Sequence, residues 1–586
     1  MSSRRLGLVC VDILTGIENR PFLERVRMLM NRMWIGVPAV VLLMSAVSAI
    51  GAGPQDKKDA DKKKDEKVVV TGTPMVTPAE PPADSTTEGS VTVGGVAIAY
   101  KAVAGTLTVG SNDSQDAMLG LDGKMLPDTG EKAPDPEKPE EATATARMFY
   151  VAYFKKDAKP GRPVMFLYNG GPGSASMWLH MGSFGPRRVV TTDAQHDEGA
   201  PYKIVNNEYS LLDVTDVVFI DAPGTGFSRI MGKDKEKAFW GTDPDAHAFD
   251  RFIRRFLTKY DRWNSPKYLL GESYGTPRSA VLSADLQNVD LNGIVLLSQI
   301  LSFDNSIDGP KWNPGVDQAY ALGLPTFAAS AFYHHKLPTQ PAALEPFLAE
   351  VEQYALGDYM SALLQGSELP EAKRQAVADK LHQYTGLPVT YLLRANLRVT
   401  GAAFSKQLQL DDETTTGRLD TRYKGPDLDP LSSDAEYDPQ SNAISSAYTA
   451  ALNQYMRTEL KYGQDQTYKP GAYSDADFTW DLRHQAPNGP PANQQEAGTN
   501  VMPDLAFTMK SNPKMKVMLA GGYYDLATPY FEGKFEMHHL QIPQKLQVNI
   551  SYHYYQSGHM VYVNEDVLKQ FHADVAAFVR GTEDGK

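Results

Sequence analysis

Cysteine is nearly missing from this chain of 586 residues: the one copy is Cys10. A chain with one thiol forms no internal disulfide. Once Cys10 is removed by the processing argued below, the chain also has no thiolate nucleophile, no cysteine-based metal site and no lipidated N-terminal cysteine. Stability then has to come from the core. Excess positive charge is lacking too. The 58 Lys+Arg against 71 Asp+Glu leave a formal charge of -13, which repels a phosphate backbone. The only dense basic run, Lys57 to Lys67, is interleaved with acids, so nucleic-acid binding is not expected. No fixed-period repeat is present. What is present is 42% hydrophobic and 10% aromatic residues, enough for a large core and for more than one domain.

After Arg25, Arg27 and Arg32 stands MWIGVPAVVLLMSAVSAIGAG, an apolar stretch ending in small residues. Val47-Ser48-Ala49 or Ile50-Gly51-Ala52 suits signal peptidase, so residues 1–52 are expected to be a secretory signal and the protein to be exported, to periplasm or medium. Met28, Met30 and Met33 leave two readings of the first residues, an over-extended start or a long basic region. A retained membrane anchor is the alternative; the run is near the lower length for a span, and Pro38 weakens it. Residues 53–90 are rich in Lys, Asp, Pro and Thr and read as a disordered linker.

Beyond Ser90 the alternation around Gly94-Gly95 suggests a hairpin. Short apolar runs then alternate with helical patterns: PVMFLYN, DVVFIDAP, KYLLGES, GIVLLSQ, MKVMLAGG and LQVNISYHYY. This is the pattern of an α/β fold with a mostly parallel central sheet. Residues 302–501 lack such strands and are rich in helix formers, so a large, mainly helical cap is expected there. It would divide the core into 91–301 and 502–586 and shape a cleft over the strand ends.

Gly-Glu-Ser-Tyr-Gly, centred on Ser273, follows a strand and precedes a helical pattern. It reads either as a strained elbow presenting a nucleophile or as an ordinary glycine-bounded loop. A serine nucleophile needs a histidine base and an orienting carboxylate, in the order Ser, Asp, His for this architecture. Asp525 in GGYYDLATP and His559 in YQSGHMVY both follow strands, in that order. Upstream, Asn169-Gly170-Gly171-Pro172-Gly173 is either a turn whose N–H groups face an oxyanion or simply a tight turn.

With NGGPG, DAPGTGFS, GESYG and SGHMV in order, preceded in the last case by GYYDLATP, the chain resembles the serine carboxypeptidase family of α/β-hydrolases, in a bacterial form, from about Val91 onward. The resemblance implies a Ser273, Asp525, His559 triad and an oxyanion hole made by the N–H groups of Gly171 and Tyr274. It also implies that Asn169 and Glu272 recognise a substrate's terminal carboxylate, which requires Glu272 to carry a raised pKa or to work in mildly acidic surroundings. Three positions depart from the family: Ser183 stands where a second recognition glutamate is usual, Leu167 where a tryptophan is, and Ser174 where a disulfide cysteine is. These changes leave the triad intact and put strict C-terminal recognition in doubt.

His334-His335 and His538-His539 read as surface or packing pairs, since neighbouring histidines on a strand point to opposite faces and no acid cluster completes a metal site. Arg187-Arg188, Tyr523 and Tyr524 read as structural. The expected function is a carboxypeptidase-like hydrolase acting on peptide or protein C-termini, with no metal or other cofactor and no lasting membrane insertion. An esterase or acyltransferase on the same triad, or a catalytically silent peptide binder, are the alternatives.

Overall fold

The structure, a computed structural model, describes residues 83–127, 142–489 and 499–583. The expected signal peptide and residues 53–82 of the expected linker lie outside the described residues. Strand β1 (Ser85–Val93) pairs antiparallel with β2 (Val96–Gly110) through a turn at Gly94-Gly95, both in the left-handed region, which a two-residue hairpin favours. The linker boundary at residue 90 is therefore corrected. Ser85 to Ser90 pair with Ala104 to Ala99, and ladder hydrogen bonds order a segment whose polar side chains carry no apolar signal.

The other strands are β3 (Thr145–Lys155), β4 (Val164–Tyr168), β5 (Arg187–Val189), β6 (Ile204–Asn206), β7 (Asp216–Ile220), β8 (Arg229–Met231), β9 (Lys267–Glu272), β10 (Gly293–Leu297), β11 (Thr414–Thr416), β12 (Lys424–Pro426), β13 (Lys516–Gly522) and β14 (Ile550–Tyr555). A ten-stranded sheet has the order β1-β2-β3-β7-β4-β9-β10-β13-β14, with β8 on β3. From β7 to β14 every pairing is parallel, and the β1-β2-β3 end is antiparallel. This is the expected α/β-hydrolase arrangement. The run LQVNISYHYY is strand only in its later part: Gln544–Asn549 is a 3-10 turn, and the sheet strand starts at Ile550.

Strand residues alternate between two cores. Phe149, Val151 and Tyr153 of β3 face one, while Met148, Tyr150 and Ala152 face the other. The second core is covered by helices α1 (Thr242–Lys259), α2 (Gly275–Asp285) and, further along the chain, Met502–Ser511. The apolar positions of α1, Phe249, Phe252, Ile253 and Phe256, recur at helical spacing.

Residues 302–501 enclose two kinds of structure. Helices α3 (Gln318–Tyr333), α4 (Leu344–Tyr354) and α5 (Glu371–Thr385) build an apolar cluster of their own, which Tyr524 and Leu526 join from the far side of β13. Helix α6 (Pro439–Thr458) instead packs Ile444, Ala447, Tyr448, Leu452 and Tyr455 into the first sheet core, together with Leu568, Phe571 and Val575 of the C-terminal helix Glu565–Glu583. The short β11–β12 ribbon adds a strand element to this segment. Among the described residues no helix is long and apolar enough to cross a membrane.

Candidate active site

Strand β9 ends at Glu272, helix α2 begins at Gly275, and Ser273 between them sits at φ 59°, a backbone strain that a non-glycine residue adopts only where the surroundings impose it. The packing explains the flanking glycines. A Cβ on Gly271 would lie 2.1 Å from the carbonyl oxygen of Gly275, so strand and helix approach too closely for any side chain there. Helix α2 is clamped from behind by Arg278, fully buried, whose Nε donates to Asp245 at 2.5 Å and whose guanidinium reaches the Asn169 carbonyl at 2.7 Å. Ser273 itself is only partly covered, and its N–H is tied to the Leu297 carbonyl at 2.9 Å.

The next residue along β10's exit links this elbow to the histidine. Ser298 donates its hydroxyl to the carbonyl of His559 at 2.7 Å. His559, on the loop after β14, is hydrogen-bonded through Nδ1 to Asp525 Oδ2 at 2.8 Å. A carboxylate only accepts, so Nδ1 carries the hydrogen and Nε2 is left as the basic nitrogen. Asp525 is fully buried and is fixed by its own loop: Oδ1 accepts from the N–H groups of Ala527 and Thr528 at 2.9 and 3.0 Å, and Oδ2 accepts the Thr528 hydroxyl at 2.8 Å. Burial pushes the His559 pKa down, but the charge of Asp525, its hydrogen bond and the charge of Glu272 outweigh this against an opposing Arg418, and the imidazole stands above its usual 6.5.

The glycine-rich turn after β4 lies against the elbow. A Cβ on Gly170 would come 2.2 Å from the Tyr274 nitrogen and 2.7 Å from the Glu272 carbonyl oxygen, so only a glycine there lets the turn lie this close to the elbow. Gly171 is exposed, with φ 106°, a conformation that only glycine adopts readily. Neither amide has an acceptor among the described residues.

Glu272 is buried directly beside the serine, and its Oε2 accepts the Tyr562 hydroxyl at 2.7 Å. Burial pushes its pKa up to about 7, with His559 and the hydrogen bonds from Tyr562 and Asn169 pulling the other way. Asn169 is oriented by the Leu179 N–H, which donates to its Oδ1 at 3.1 Å and leaves the amide NH₂ toward Glu272 and Tyr562. Ser183 is fully buried and turns its hydroxyl back to the Leu179 carbonyl at 2.6 Å.

Some residues at the site carried no signal of their own in the sequence. Thr528 and Tyr562 fall inside or beside the quoted motifs, yet nothing in those motifs marks a threonine or tyrosine as a partner of the acid groups. Three residues come from the long insertion: Arg418, whose carbonyl accepts the Leu526 N–H; Leu419, whose carbonyl accepts the His559 N–H at 2.6 Å; and Thr421, whose N–H reaches the Tyr524 carbonyl. The double-histidine segments were read on a strand, but His334 and His538 lie at helix ends, and His334 Nε2 is paired with the Thr421 carbonyl. Arg187 and Arg188 pair with Glu459 and Glu565.

Residues 139–290 match the family model for serine carboxypeptidase. Over 165 residues the chain is 30% identical to serine carboxypeptidase-like 36 of Arabidopsis thaliana, covering 26% of this chain and 31% of that protein. Over 152 residues it is 31% identical to the pheromone-processing carboxypeptidase KEX1 of Yarrowia lipolytica, covering 25% and 22%. The matches thus span under a third of these relatives' length. The crystal structure of a prohormone-processing carboxypeptidase from Saccharomyces cerevisiae aligns over 81% of this chain and 91% of that one, with 13% identity and a TM-score of 0.43. A proline iminopeptidase from Mycobacterium smegmatis aligns over 75% and 96%, with 13% identity and a TM-score of 0.32. The sequence matches support a serine carboxypeptidase family.

Proposed function

We propose that this serine carboxypeptidase relative is an exported hydrolase that removes residues from the C-termini of peptides or proteins through Ser273, His559 and Asp525. The observation that carries the reading is the Asp525–His559 pair, tethered by Ser298 to the strained elbow at Ser273, with a buried, protonatable Glu272 alongside.

Ser273 Oγ attacks the scissile carbonyl carbon while His559 Nε2 takes the hydroxyl proton. The positive charge that appears on the imidazole is stabilised by Asp525, whose three hydrogen bonds from Ala527 and Thr528 keep it aimed at Nδ1. The negative charge that develops on the carbonyl oxygen falls to the N–H groups of Gly171 and Tyr274, donors with no acceptor of their own. Collapse of the intermediate breaks the C–N bond, and Nε2 returns the proton to the leaving amine. Water, deprotonated by the same nitrogen, then cleaves the acyl ester and restores Ser273. Glu272 in its protonated form, with Asn169, grips the carboxylate of the leaving residue. Residues 302–501 supply the cleft wall through Arg418 and Leu419, and residues 1–52 act as the export signal.

The test is mass spectrometry of N-blocked peptides incubated with the purified chain and with Ser273→Ala, alongside labelling by a fluorophosphonate. The reading expects stepwise loss from the C-terminus, labelling at Ser273, and loss of both in the variant. Cleavage of esters but not peptides, or internal peptide cuts, would replace the carboxypeptidase assignment.

A further inference from the structure

A buried carboxyl next to a nucleophile has two oxygens, and the chemistry depends on which one is free to face a ligand. In Glu272 that choice is made by Tyr562, three residues after His559 on the same loop. Its hydroxyl donates to Oε2 at 2.7 Å, so the proton of a neutral Glu272 belongs on Oε1. Tyr562 is itself boxed in. A Cβ on Gly182 would lie 2.6 Å from its ring and 2.5 Å from the Tyr448 hydroxyl, so the absence of a side chain at residue 182 is what lets both tyrosines reach the Glu272 pocket. Asn169 completes the set from the β4 side, its amide already oriented by Leu179.

We propose that Tyr562 is a positioning residue that fixes the Glu272 carboxyl with Oε1–H turned to the substrate's terminal carboxylate, making an uncharged recognition pocket from Glu272, Asn169, Tyr562 and Tyr448. The pocket holds one carboxyl that titrates near neutrality and two phenols kept protonated by burial. The charged groups acting on Glu272 are His559 and Asp525 from the loops after β14 and β13; Tyr562 and Asn169 reach it by hydrogen bonds, and Tyr448 lies close by on α6. Because the tyrosines add no charge, the pocket accepts a carboxylate without placing a second acid beside it. This inference rests on the carboxypeptidase reading and specifies the ligand chemistry of its recognition half.

The experiment compares the full chain with Tyr562→Phe on a matched pair of N-blocked peptides, one with a free C-terminal carboxylate and one amidated, from pH 5.5 to 8.5. For the acid peptide the variant is expected to raise KM about tenfold below pH 7 with kcat changed less than about threefold, because Oε1–H is no longer held toward the substrate's carboxylate and that charge-assisted hydrogen bond is lost; the Tyr562 bond itself is the one that shifts the titration. That bond favours ionised Glu272, so removing it moves the falling limb of kcat/KM upward by about one pH unit. The amide peptide should change less than about threefold throughout. Equal losses on acid and amide, or an unmoved limb, overturn the proposal. Fluorophosphonate labelling of Ser273, measured on both proteins, separates the two levels. Intact labelling with an unmoved limb rejects the role of Tyr562 alone, whereas no labelling of either protein rejects the hydrolase reading as well.

Discussion

The two halves of the pocket around Ser273 are held by different means. On the acid–base half, Asp525 is fixed mostly by the backbone of its own loop, and His559 by its N–H to the Leu419 carbonyl and its carbonyl to Ser298. On the recognition half, Glu272, Tyr562 and Asn169 hold one another through side chains, and burial pushes the one carboxyl toward neutrality. Backbone anchoring holds Asp525 and His559 in fixed places, as the proposed mechanism asks in every turnover. Side-chain anchoring with burial suppresses a charge, and so ties Glu272 to pH and, on the proposed reading, to the chemistry of the substrate's end.

Variants on the two halves should therefore separate by substrate. The largest effect is expected for Ser273→Ala, with loss of about five to six orders of magnitude in kcat on free-acid and amidated peptides alike, measured by product release against a folding control. Retained turnover of either substrate would dissolve the elbow assignment. Asp525→Asn should follow with about four orders of magnitude, again equal on both substrates, because the amide presents the wrong hydrogen-bonding edge to Nδ1. A loss confined to acid peptides would move Asp525 to the recognition half.

Smaller effects are expected on the other side. Glu272→Gln keeps the shape and some donor capacity but removes the titration, so acid-peptide kcat/KM should drop about tenfold below pH 7 and lose its falling limb, with the amide little changed. Thr528→Val removes one of the three hydrogen bonds that Asp525 accepts from its own loop and should lower kcat about fivefold to tenfold on both substrates, read from initial rates at saturating substrate. If Thr528→Val altered only acid peptides, the division between the halves would fail.

Legibility in the sequence cuts across that division. Strands β4, β7, β9, β10 and β13 are visible because buried parallel strands are short apolar runs, and Ser273, Asp525 and His559 because each sits in a glycine-marked turn at a strand end. Ser85 to Ser90 escaped because an edge pairing asks for backbone hydrogen bonds rather than apolar alternation. Helix α6 was recognisable as a helix, but which core it covers depends on tertiary packing that its periodicity does not encode. Tyr562 is one of 29 tyrosines, and only the fold brings its hydroxyl to Glu272 and its ring to Gly182. Leu419 acts through its carbonyl, which leaves no trace in residue identity.

The central claim is that a neutral Glu272 reads the substrate's terminal carboxylate beside a charged triad. Its most direct measurement is the pH dependence of kcat/KM for the matched acid and amide peptides on the unmodified protein. His559 must be neutral to act as a base, so both substrates gain activity as pH rises past the imidazole's elevated pKa. Glu272 is protonated below about 7 and ionised above it, so only the acid peptide should then lose activity, giving a bell with its falling limb near pH 7 against a simple rise and plateau for the amide. Two profiles of the same shape would contradict the account.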